Sequence, residues 1–251
     1  WNRLYNYPWL AIFFMERYRL YNEVTDLKNM YKIMKSYYAQ DGASFYAIGI
    51  PMLESVKLLK SGGMEREAEE LLRYYEIHGE MLIKNGLCYP PHEVKYEQSI
   101  VAPAVNYLFQ LYELTGKILY LEEGKKQLAV LVLFNGHQPD FHMYENAVRH
   151  WDGYWFGKYK NLGDTFPHYW SSLSGVAFRE YEKITGERSY GVKAENSLRG
   201  VLSMINSDGS ASCAYVYPFM VNNVRCQYAD PWANDQDWAL YYYLKEGKNY
   251  D

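Results

Sequence analysis

The chain is short of cysteine, of long apolar runs and of net charge, and each shortage removes a class of function. Its three cysteines, Cys88, Cys213 and Cys226, are an odd number without CxxC spacing, so neither a zinc site nor a disulfide framework is indicated. Runs such as Leu128–Phe134 fall far short of the roughly 20 apolar residues that a spanning helix needs, so no membrane partner is expected. A net charge of −4 without a Lys/Arg cluster lacks the basic footprint of a nucleic-acid binder. There is no Gly-rich phosphate loop, GxSxG elbow or HExxH helix. The chain opens at Trp1 rather than Met and stops at Asp251 straight after a helical pattern. We therefore expect a piece of a longer multidomain polypeptide, with any signal region out of view and no localisation assignable.

Aromatic residues are abundant instead. They make up 18% of the chain, with 28 tyrosines, and the 49% hydrophobic content supports a substantial core. The tract from His137 to Trp170 holds four of the six histidines and three of the seven tryptophans. It has no clean period of 3.6 or 2, so it reads as a long connection carrying a site. Rings interleaved with hydrogen-bonding groups suit a ligand with apolar faces and polar edges, as a sugar has.

Around this tract runs a repeated helix–turn–helix pattern. Phe109–Leu128 and Phe178–Leu198 each place a Phe and a Tyr three apart, then a Thr-Gly pair, then a Tyr four residues on. Weaker copies run over Phe13–Tyr38, with a turn expected near Thr25-Asp26, and over Ile48–Tyr75, with Ser61-Gly62-Gly63 as the turn. A last helix is expected over Trp232–Lys245. Turns within hairpins are short, whereas the links between them, Gly86–Gln98, Gly136–Pro167 and Ser207–Pro231, are long and aromatic. Antiparallel helices bring all such links to one end. This predicts an all-α fold: a single (α/α) toroid of helical hairpins over 1–251, six-hairpin type and incomplete, with a cleft at one mouth. The β-branched and aromatic segment Gly209–Tyr228 predicts a minor β-hairpin insertion.

Two chemistries fit the candidate mouth. In β-elimination from a uronate, a cation neutralises the carboxylate, a base removes the adjacent proton and an acid protonates the leaving oxygen. Arg149 as neutraliser, with His150 and Tyr154 as base and acid, satisfies that demand, and His168 and Tyr169 join them as candidate catalytic groups. Substrate binding is expected from His92, Tyr96, Glu97, His142, Trp151, Asp152, Trp155, Lys158, Trp170, Trp232 and Asp235. Hydrolysis requires two flanking carboxyl groups instead, drawn from Glu97, Asp140, Glu145, Asp152, Asp164, Asp235 and Asp237. Several of these have structural readings. Asp152 before Gly153 suits a turn, Glu97 suits a helix N-terminus, and Asp164 is expected to cap a helix that begins at Pro167. On that expectation His168, Tyr169 and Trp170 lie in a first helical turn. No metal site or cofactor is indicated, although Ca²⁺ could assist a uronate lyase.

The Thr-Gly hairpins resemble the six-hairpin toroids of glycan-active enzymes, shared by hydrolases and lyases. RHWDGYWFGK (149–158), GDTFPHYWSSLSG (163–175) and YEQSIVAPA (96–104) together resemble the central toroid domain of rhamnogalacturonan exolyases, polysaccharide lyase family 26. The resemblance implies β-elimination at galacturonate in pectin, a polysaccharide or oligosaccharide partner, and flanking β-rich domains. It assigns no catalytic residue, so the roles above rest on residue chemistry. A glycosidase of the same toroid class, acting for example on unsaturated uronyl oligosaccharides, and a non-catalytic glycan-binding module are the alternatives.

Overall fold

The computed structural model describes residues 4–46, 48–93, 98–138, 143–147, 164–212, 214–217, 220–225 and 237–247. These residues show the expected all-α class. Four antiparallel hairpins follow in order: α1 (Asn6–Tyr21) with α2 (Val24–Ala39), α3 (Met52–Ser61) with α4 (Glu65–Asn85), α5 (Gln98–Thr115) with α6 (Ile118–Leu131), and α7 (Ser172–Thr185) with α8 (Arg188–Gly200). A further helix, α9 (Asp237–Glu246), ends the described chain. No described helix is long and apolar enough to cross a membrane.

The two Thr-Gly turns are built alike. Gly116 (φ +68°) and Gly186 (φ +75°) follow the last residues of α5 and α7, and their N–H groups return to the Tyr112 and Glu182 carbonyls. Left-handed backbone at C′ is where glycine avoids the Cβ clash. Thr115 and Thr185 donate to the carbonyls four residues back, at 2.6 and 2.8 Å, and accept from the N–H two residues on. In the first hairpin the turn is Asn22-Glu23 rather than Thr25-Asp26. Asn22 takes the left-handed position (φ +54°), and Asp26 lies inside α2, paired with Arg17.

The chain forms two compact units, Trp1–Val94 with Pro103–Gln127, and Lys95–Ala102 with Leu128–Asp251. In the first, Leu27, Met30, Met34 and Tyr37 form one buried stripe of α2, and Ala68, Leu71, Tyr75, His78 and Leu82 one of α4. Gly79 lets α4 approach Leu111 and Tyr120, since a Cβ there would overlap Leu111 Cδ1. A polar knot sits in this core. His78 Nε2 donates to the Phe45 carbonyl (2.8 Å), which leaves Nδ1 to accept from the Tyr38 hydroxyl (3.3 Å). Tyr107 gives its one hydroxyl proton to the Tyr75 carbonyl at 3.1 Å, and its oxygen lies 3.0 Å from the Tyr38 hydroxyl. Burial holds His78 neutral, down at about 4.

In the second unit α7 packs on α8 through Gly175, where a Cβ would lie 2.6 Å from Leu198 Cγ. Buried Arg179 of α7 bonds Glu182 (2.6 Å) and, through Nε, the Glu246 carbonyl at the end of α9 (3.1 Å). Short strands accompany these helices among the described residues. β1 (Asp164–His168) pairs antiparallel with β2 (Ala214–Tyr217). β3 (Met220–Val221) pairs with β4 (Val224–Arg225) across Asn222-Asn223, both at positive φ, the backbone a tight hairpin requires.

β1 corrects one expectation. Asp164 does not cap a helix beginning at Pro167: residues 164–168 are extended, Tyr169–Ser171 form a single 3-10 turn, and α7 begins at Ser172. Pro at a first helical turn and Pro at a strand irregularity look alike in sequence. Pairing with β2 decides between them, and the register shifts between Thr165 and His168, where Pro167 has no N–H to offer.

Candidate functional site

Three of the long links meet within the second unit. β1, in the 136–167 link, pairs with β2, in the 207–231 link, with Asp164 opposite Tyr217, Thr165 opposite Val216 and His168 opposite Ala214. The 86–98 link ends at Gln98, whose Nε2 donates to the Trp170 carbonyl at 2.8 Å. Tyr169, 6% exposed, and Trp170 form the 3-10 turn at this junction and meet edge to face, with centroids 5.4 Å apart.

The chain on either side of 148–163 is fixed to α8. On the leading side, Lys193 pairs with Glu145 at 2.7 Å, and Gly200 leaves room for buried Asn146, since a Cβ at 200 would overlap Asn146 Nδ2. Gln138 donates to the Asn146 carbonyl at 2.8 Å. Glu145 is left-handed (φ +61°), a conformation costing a non-glycine residue about 1 kcal/mol. Its N–H bonds the Gly136 carbonyl at 2.9 Å, so this backbone is closed into a loop. On the trailing side, Ser197 donates to the Ser171 carbonyl (3.0 Å), and Ser171 Oγ in turn to the Ala147 carbonyl (3.5 Å), which joins the two flanks. Among the described residues, Gln98 Oε1, Glu145 Oε2 and Asn146 Oδ1 are buried without a hydrogen-bond partner.

Of the residues singled out from sequence, Tyr96, Glu97, His142, Arg149, His150, Trp151, Asp152, Tyr154, Trp155, Lys158, Trp232 and Asp235 lie outside the described residues. Tyr169 and Trp170 stand at the junction just described, directly after His168, the last residue of β1. His92 is in the first unit, where Nε2 bonds the Ser44 carbonyl at 2.9 Å and the ring meets Phe45. Its neighbour Glu93 accepts from the Tyr46 N–H (2.7 Å) and the Tyr5 hydroxyl (3.0 Å), which fastens the 86–98 link near its middle. Burial next to Glu93 pushes the Tyr5 phenol well above its ordinary range. Among the candidate carboxyls, Glu145 is engaged with Lys193, and Asp237 is the exposed first residue of α9, where an acid favours the helix dipole. Among the described residues no three His, Cys, Asp or Glu side chains group to hold a metal ion.

This chain is similar to part of a polysaccharide lyase. The two share 48% identity and a TM-score of 0.90 over 99% of this chain. The chain spans 37% of that enzyme's length. A D-mannose isomerase aligns over 97% of this chain and 71% of its own, at 11% identity and a TM-score of 0.60, a likeness of fold alone. No family model and no curated protein matches the chain.

The stretch aligned with the lyase takes in nearly the whole chain, frame and tract together. Lys193, Ser197 and Gly200 are not among the residues that sequence reasoning singles out. Only Gly200 carries a signal, because a glycine in a helix weakens it unless another group needs the space.

Proposed function

We propose that this chain is the helical portion of a polysaccharide lyase that cleaves a uronate-containing glycan by β-elimination. The observation that carries the reading is the 48% identity to a polysaccharide lyase over 99% of the chain. The junction of three links beside the His- and Trp-rich tract agrees with it. Arg149 pairs with the uronate carboxylate and makes the adjacent C5 proton acidic. His150 takes that proton, the C4–O bond breaks as the C4–C5 double bond forms, and Tyr154 protonates the departing oxygen. His168 and Tyr169 serve the same site, and Trp151, Trp155 and Trp170 offer faces to sugar rings. Carboxylate neutralisation by Arg149 needs no metal, so chelation leaves the rate unchanged.

Among uronate glycans we assign rhamnogalacturonan-type pectin, because the motifs at 96–104, 149–158 and 163–175 resemble those of rhamnogalacturonan exolyases. The test is incubation with rhamnogalacturonan, homogalacturonan and a glucuronate-containing glycan, following ultraviolet absorbance of the new double bond. Absorbance with rhamnogalacturonan alone supports the full reading. A response to another glycan keeps the lyase and replaces the substrate, and sugar release without absorbance overturns elimination in favour of hydrolysis.

A further inference from the structure

We infer that the Lys193–Ser197–Gly200 stripe of α8 is the positioning element of the site. The three residues are spaced i, i+4, i+7 and so share one face of the helix. Each engages a different point beside the 148–163 tract: Lys193 holds Glu145, Gly200 receives Asn146, and Ser197 holds the Ser171 carbonyl. An adjacent side of α8, with Ala194 and Leu198, packs against α7 at Gly175. One helix thus couples the hydrophobic core on one face to both flanks of the tract on the other.

Two features say that this fixing is specific rather than incidental packing. Glu145 is in left-handed backbone although it has a side chain, and this persists only where surrounding bonds impose it, here the Lys193 pair and the Gly136 carbonyl. Gly200 is a glycine within helical structure, and the Asn146 amide occupies the place of its missing side chain. Arg149 and His150 follow Ala147 by two and three residues in the sequence, which makes the 145–147 backbone the nearest described anchor before them. The inference rests on the lyase reading for what the positioned groups do, but the positioning can be measured without substrate.

The experiment uses the whole chain in five forms: native, Lys193→Ala, Lys193→Arg, Gly200→Ala, and Gly200→Ala combined with Asn146→Ala. Amide hydrogen exchange of peptides covering 148–163 is read beside kcat, KM and the thermal midpoint. Lys193→Ala and Gly200→Ala should speed exchange there and lower kcat roughly ten- to a hundred-fold, with KM changed less than about threefold. Lys193→Arg should restore native behaviour by keeping the cation. Asn146→Ala should rescue Gly200→Ala by removing the amide that the new Cβ strikes. Unchanged exchange at 148–163 in both disruptive variants overturns the inference, as does failure of both rescues. If no glycan is turned over, the lyase reading falls while the exchange arm still decides this one.

Discussion

The core of the first unit and the flanks of the 148–163 tract in the second hold polar groups in different settings. In the first, His78, Tyr38, Tyr75 and Tyr107 are buried and bonded to one another or to main-chain carbonyls. Burial also holds both Tyr38 and Tyr107 phenols well above their ordinary range, so this is a neutral structural knot. In the second, Glu145 Oε2 and Asn146 Oδ1 are buried with no hydrogen-bond partner among the described residues, and Glu145 is held in left-handed backbone. A buried polar group that finds its partners stabilises; one kept unsatisfied or strained costs free energy, and such costs gather where a site needs fixed geometry.

The sharpest way to break this contrast is to exchange the histidines' fates. His150→Ala should lower the elimination rate by roughly 10²–10⁴-fold with an unchanged thermal midpoint. His78→Ala should cost about 2–4 kcal/mol of stability, through the cavity and the stranded Tyr38 and Phe45 groups, with the rate of the folded fraction unchanged. Steady-state kinetics and urea titration on both variants decide it, and a rate loss in His78→Ala with stability intact would collapse the distinction.

Next in size is a pH effect confined to the first unit's knot. His78 is held at about 4, against 6.5 for an unperturbed imidazole. The unfolded chain therefore binds a proton that the folded chain refuses between these values, and stability falls as pH drops from about 6.5 towards 4. The loss is on the order of 3 kcal/mol when complete. Urea midpoints at pH 7 and pH 4.5 measure it, and His78→Gln should flatten the slope.

The smallest effects should come from the paired turns. Gly116→Ala and Gly186→Ala should each cost about 1 kcal/mol, since both glycines are left-handed with open space around the missing Cβ. Near-equal shifts would show that the Thr-Gly motif has one energetic role in both units. Unequal shifts would break the equivalence.

Those turns also mark what can be read from residues alone. Thr115-Gly116 and Thr185-Gly186 are legible because the local backbone demand is met by the residue types themselves. The turn at Asn22 is harder to place from residues, since Asn signals left-handed backbone less strongly than Gly, and the Thr-Asp pair that follows draws the reading towards it. The stretch 164–168 misleads because pairing with β2, about fifty residues away, overrides a local helix-start signal. For the same reason Lys193 and Ser197 stay hidden in sequence and Gly200 shows only as a glycine inside a helix: their partners at 145, 146 and 171 are distant along the chain, and only folding brings them together.

The central claim is elimination, and the direct measurement is the mass of the product formed in ¹⁸O-enriched water. Elimination predicts an unsaturated product with no ¹⁸O from solvent. A saturated product carrying one solvent ¹⁸O at the cleaved bond would contradict it and return the search to the carboxylates.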